Sequence, residues 1–256
     1  MIVAEIYTQS DGKTVGFVLR GHSERNDARG HGYNVRCAEV SALSSAAYLG
    51  IRQYLNREAA AENNEHGGLG FELKEAPDAL TEAVFQVMLT GLRAVEKVAP
   101  QVIRISTIKL DAEAEANLHR KLDNMKPTPS QPLPKLNVQQ VRIRADIFRA
   151  ADGNICGFSI RERKGKTVDE FEIYRASVWA LTKAVVACVK DYLKRAAKIE
   201  NKLRKAAVEL EDAPNEVTEA VFQTLLIGLR EIERQAPQVI QVNEISTEVK
   251  LNELHV

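Results

Sequence analysis

The sequence is short of cysteine, of aromatic side chains, of net charge and of long apolar runs, and each shortage narrows what it can be. Three cysteines in 256 residues (Cys37, Cys156, Cys188) lie far apart. They supply neither the dense pairing of a disulfide-stapled secreted domain nor a CxxC metal knuckle. With 35 basic and 35 acidic residues the formal charge is zero, which argues against binding a polyanion through bulk charge. No run approaches the ~18 apolar residues that cross a bilayer, so no membrane partner is expected. Residues 1–6 alternate like a strand and lack the basic-then-apolar layout of a secretion signal. A reducing cytoplasm is the expected location. His66, His119 and His255 are scattered with no second ligand at metal spacing, so neither metal nor cofactor is expected.

What the chain does have is a repeat, and the repeat decides the architecture. Glu75-Ala76-Pro77-Asp78 and Thr81-Glu82-Ala83-Val84-Phe85-Gln86 return as Asp212-Ala213-Pro214-Asn215 and Thr218-Glu219-Ala220-Val221-Phe222-Gln223. Gly91-Leu92-Arg93 returns as Gly228-Leu229-Arg230, and Ala99 to Ile103 as Ala236 to Ile240, all at an offset of 137. Upstream, Asp11-Gly12 with Gly16-Phe17 matches Asp152-Gly153 with Gly157-Phe158 at an offset of 141. The second copy is therefore a few residues shorter between these blocks.

Each copy reads the same way. Two apolar runs flank an Asp-Gly turn, as in a hairpin. A long helix follows at about 37–56 and 175–199, then a strand at 70–73 and 208–210. A second helix begins after Pro77 or Pro214 and ends before Pro100 or Pro237, since proline is tolerated at a helix start and breaks its interior. A last strand, 102–108 or 239–245, closes the unit. The expectation is an α+β fold of two tandem ββαβαβ units, residues 1–110 and 139–256. Residues 111–138 join them as a charged helical stretch and a proline-rich spacer, with four of the eight prolines within 126–134. Apolar faces on both copies suggest that they pack together as an intramolecular pseudo-dimer, leaving any further oligomer open.

The copies differ most between the second strand and the first helix. There the first copy carries His22 and Cys37, which fall opposite Arg163 and Arg175. Cys37 stands near the start of a long helix, where unpaired N–H groups and the helix dipole favour a thiolate. His22 leaves a strand that must run beside that helix start, so its imidazole is placed to take the thiol proton. The same N–H groups face a developing oxyanion. Gly21, Gly30 and Gly32 give the connecting loop its freedom. Asn34 is a candidate to orient the imidazole, and Ser41, one turn beyond Cys37, to donate a supporting hydrogen bond. On spacing alone the Cys–His pair is a weak signal.

The residues Gly21-His22-Ser23, then Gly32-Tyr33-Asn34-Val35-Arg36-Cys37-Ala38-Glu39-Val40-Ser41-Ala42-Leu43, resemble the ribosomal-processing cysteine protease (Prp) family. The likeness extends over residues 1–108 and recurs in the second copy as scaffold without motif. It implies a dyad peptidase with Cys37 as nucleophile and His22 as base. The implied substrate is a large-subunit ribosomal protein precursor that loses a short N-terminal extension, with possible ribosome association. Two departures stand out: Asn34 replaces the family's aspartate, and Arg36 replaces an apolar residue. The rival expectation is a non-catalytic module that binds a peptide or a ribosomal surface. Of the other candidates, His31 reads as a solvated loop residue, Cys156 and Cys188 as inert core thiols, and Trp179 as packing. The run Arg161, Arg163, Lys164 and Lys166 reads as a solvated face offset by Asp169, Glu170 and Glu172.

Overall fold

The computed structural model describes residues 1–22, 35–63, 68–125, 141–165 and 169–247, apart from the side chains of Asn63, Asp169 and Glu170. The first unit opens with the hairpin β1 (Ile2–Thr8) and β2 (Thr14–Arg20), then α1 (Val35–Leu49), which runs into one π-helical turn, Gly50–Tyr54. Strands β3 (Ala59–Asn63) and β4 (Leu69–Leu73) follow, then α2 (Ala79–Val98) and β5 (Ile103–Lys109). A further helix, α3 (Ala112–Asp123), comes next. The second unit repeats the order as β6 (Ile143–Arg149), β7 (Ile155–Glu162), α4 (Asp169–Ala187) with its π turn Cys188–Tyr192, β8 (Ala197–Lys202), β9 (Lys205–Leu210), α5 (Glu216–Gln235) and β10 (Ile240–Ser246).

Each unit thus carries one strand more than the ββαβαβ order read from sequence. The five-stranded sheets run β3-β4-β2-β1-β5 and β8-β9-β7-β6-β10. β5 lies parallel to β1, and β10 parallel to β6. The added edge strands escape a pattern search because β3 reads Ala-Ala-Ala-Glu-Asn, without the branched or aromatic side chains that mark strands, and β8 begins inside the stretch read as helix to residue 199. It is strand by virtue of pairing with β4.

The same local chemistry builds both copies. Asp78 and Asn215 cap α2 and α5: each side chain accepts the backbone N–H of the threonine three residues on, and that threonine's hydroxyl accepts the cap's own N–H. Glu82 in α2 accepts the N–H of Thr14 at 2.7 Å, and Glu219 in α5 accepts that of Ile155 at 2.6 Å. Glu96 and Glu233 likewise accept the N–H groups of Ile105 and Val242. Charge-assisted bonds of this kind lock each second helix to its sheet.

All four long helices lie on the inner faces of the sheets, where α1 meets α4 and α2 meets α5. One continuous apolar cluster takes in Phe17, Leu43, Phe71 and Met88 from the first unit and Phe158, Val185 and Leu225 from the second. The Ser177 hydroxyl donates across the boundary to the carbonyl of Ala38 at 3.2 Å. Helix α3, inside the stretch that the sequence reading takes as the connecting segment, packs on the outer face of the first sheet. Leu118, Leu122 and Met125 bury there with Tyr7, Val15 and Val18.

Candidate active site

Strand β2 ends at Arg20 because Gly21 takes a left-handed backbone, φ +87°. A Cβ at that position would lie 2.6 Å from the carbonyl oxygen of Met1, so both the dihedral and the space call for glycine. The turn brings the next residue, His22, back against β1, where its carbonyl accepts a hydrogen bond from the Met1 amine at 2.7 Å. Cys37 lies in the first turn of α1.

His22 and Cys37 line the same cavity, of about 240 Å³. Its lining is apolar at Ile2, Leu19 and Val40 and includes Ser41, Ser44 and Gly68. His22 is exposed and Cys37 half-buried, so the cavity is open to solvent at the imidazole side. Ser44 spends its hydroxyl on the helix, donating to the Val40 carbonyl at 3.0 Å, whereas Ser41 is exposed at the rim. The thiol stands in the first turn of α1, where the helix dipole favours negative charge. Arg36 turns away along the helix, donating to both carboxylate oxygens of Glu39 at 2.9 and 2.8 Å. Asn34, Gly30, Gly32 and His31 lie outside the described residues, as do His66, His255 and Lys166.

The other thiols sit in different surroundings. Cys188 is fully buried, and that burial pushes its pKa up to about 12. Cys156 lies in β7, its Sγ 3.4 Å from the carbonyl of Phe148. His119 pairs with Glu72 at 2.8 Å on the outer face of the first sheet. Among the described residues no three His, Cys, Asp or Glu side chains converge as a metal site would require.

The matching place in the second unit is filled. Glu162 stands where Gly21 does, and its side chain is completely buried. Arg175, at the position of Cys37, donates its Nε–H to Glu162 Oε2 at 2.9 Å. Trp179, at the position of Ser41, donates its indole N–H to the same oxygen at 3.1 Å. An ion pair and an indole thus stand at positions whose counterparts line the cavity of the first unit. The sequence comparison located the loss of the Cys–His pair but not this plug. Its legible signal was a glutamate in place of a glycine at a strand end.

The family model described as cysteine protease Prp matches residues 1–104. The resemblance drawn from Gly21-His22 and the segment around Cys37 is thereby borne out for the first unit. No curated protein matches the chain in sequence. Similar solved structures include an essential ribosomal processing protease Prp from S. aureus with a covalently linked product peptide (20% identity, 42% of this chain, all of that one, TM-score 0.38). The S. aureus protease with a substrate peptide gives 17% identity over the same shares, with TM-score 0.38. A Streptococcus mutans protein gives 15% identity over 41% of this chain and 96% of its own, with TM-score 0.37.

Proposed function

We propose that this chain, whose residues 1–104 match the cysteine protease Prp family, is a cysteine endopeptidase with one active site, built from Cys37 and His22. The single observation that carries the reading is the shared cavity at the start of α1, lined by both side chains. In the reaction, His22 takes the Cys37 proton and the sulfur attacks the scissile carbonyl carbon. The oxyanion is received by backbone N–H groups of the first helical turn. His22 then returns the proton to the leaving amine, and water hydrolyses the acyl-enzyme. Ser41 is assigned to the part of the cavity that meets the peptide, Asn34 to orienting the imidazole, and Gly30 and Gly32 to handling the substrate.

The substrate proposed is the short N-terminal extension of a large-subunit ribosomal protein, as the family implies, and the site of action the cytoplasm. Residues 1–110 form the catalytic unit, 111–138 the connection and 139–256 a second unit without a dyad. The two act as a fused pair in place of two identical subunits. Among the described residues no helix is long and apolar enough to cross a membrane.

One observation favours a second reading, a peptide-binding module without chemistry: the second unit holds an ion pair and an indole at the positions of the proposed dyad site. Alkylation kinetics separate the two. With iodoacetamide, mapped by mass spectrometry, the protease reading expects Cys37 to react about tenfold faster than Cys156 or Cys188, and His22→Ala to remove that advantage. Equal reactivity of Cys37 and Cys156, indifferent to His22→Ala, supports the binding module.

A further inference from the structure

Because the helices meet two by two, the boundary between the units carries two grooves that use equivalent positions of the repeat. The first, about 500 Å³, has a floor of small α1 side chains, Ala38, Ala42 and Ser45, and a far wall of Ile173, Tyr174 and Ile232 from the second unit. The other, about 320 Å³, exchanges the roles: α4 supplies Ala180 and Lys183 where α1 has Ala42 and Ser45, and α2 supplies Val95 in place of Ile232. Trp179, at the position of Ser41, stands in this second groove. The groove beside the plugged site is narrowed by an indole and a lysine, while the one beside Cys37 keeps serines and stays open.

The open groove also adjoins the thiol. Ser41, Ser45 and Leu69 line both it and the Cys37 cavity. Ser41 is one turn beyond Cys37 on the same helix face, about 6 Å along the axis at ~1.5 Å per residue. That is roughly two residues of an extended peptide at ~3.4 Å each. A strand of substrate with its scissile carbonyl at the sulfur would therefore deliver a side chain two or three residues away into the groove. Glu231 and Gln235 of α5 also line the groove, but an apolar side chain suits the part formed by alanine, isoleucine and tyrosine, since burying carbon there is favourable.

We propose that this groove is the specificity site: it takes apolar side chains of the substrate peptide, and the second unit, its own site filled, supplies the wall that makes the groove. The inference rests on Cys37 as the nucleophile, and binding can be measured apart from cleavage. The probes are two fluorescein-labelled ten-residue peptides, identical except for leucine or serine at alternate positions. Their binding to the full chain carrying Cys37→Ala is followed by fluorescence anisotropy.

The leucine peptide is expected to bind about tenfold more tightly than the serine peptide. Adding Ala42→Trp, which fills the groove from the first unit, should remove that advantage. Adding Ile173→Ser, which strips the wall from the second unit, should cut it at least threefold. Circular dichroism reports whether each variant folds, and Ile173→Ser decides the matter if the tryptophan variant does not. Equal binding of the two peptides, or a leucine advantage intact in Ile173→Ser, overturns the groove. Failure of the wild-type chain to cleave any substrate, with the leucine advantage present and groove-dependent, overturns the nucleophile reading and leaves the groove standing as a binding site.

Discussion

At the scale of single residues, the proposed site depends on Gly21 as much as on the two groups assigned its chemistry. Its left-handed backbone ends β2, and the Met1 carbonyl leaves no room for a Cβ. Gly21→Ala is expected to cost about 1–3 kcal/mol in chemical denaturation, the range for a forced backbone. It should also erase the dependence of Cys37 alkylation on His22, because the imidazole would be displaced. A variant of unchanged stability that keeps the dependence would contradict this. The glycine was legible in the sequence as part of Gly21-His22-Ser23, but its reason was not: the constraint comes from β1, a strand away in space. The plug of Glu162, Arg175 and Trp179 was hidden for the same cause, since three residues spread over 18 positions meet only in the fold.

At the scale of elements, the two caps make a pH comparison possible. Partial burial works to raise the pKa of Asp78, yet the Thr81 N–H and the charge of Arg57 outweigh it and hold the carboxyl below its usual value. A lowered folded value means the cap stabilises above the ordinary carboxylate range and is lost as pH falls through the folded value. Asn215 makes the equivalent cap without a titrating group. Between roughly pH 5 and pH 2, wild type should therefore lose stability relative to Asp78→Asn, read by urea denaturation at each pH. A constant difference across that range would contradict the argument.

The π turns offer a second test. Asn56 and Lys194, just beyond them, both have φ 51°. Asparagine tolerates that region and lysine does so at a cost. Lys194→Gly should raise stability by about 1 kcal/mol, seen in the unfolding midpoint, while Asn56→Gly changes little. These turns were not legible in sequence, where both helices read as continuous. The starts of α2 and α5 were, because Pro77 and Pro214 mark them locally.

At the scale of the whole molecule, the repeat in sequence foretold the two sheets, each with the strand order of the other. The charged helical stretch expected in the connecting segment forms as α3, but its packing was not legible there: Leu118 and Leu122 bury against Tyr7 and Val18. The apolar cluster continues from one unit into the next, so the halves should remain associated without the peptide between them. A protease site inserted within 126–138 and then cut is expected to yield fragments that elute together in gel filtration. Separation into two soluble monomers would contradict a shared core.

The most direct measurement is of new N-termini. Large-subunit ribosomal proteins carrying N-terminal extensions are incubated with the wild-type chain, with Cys37→Ala and with His22→Ala, and the termini are read by mass spectrometry. The account predicts one defined cut by the wild-type chain, at a rate at least about a thousandfold above either variant. Cleavage that survives Cys37→Ala, or extensions left whole by the wild-type chain, would contradict it.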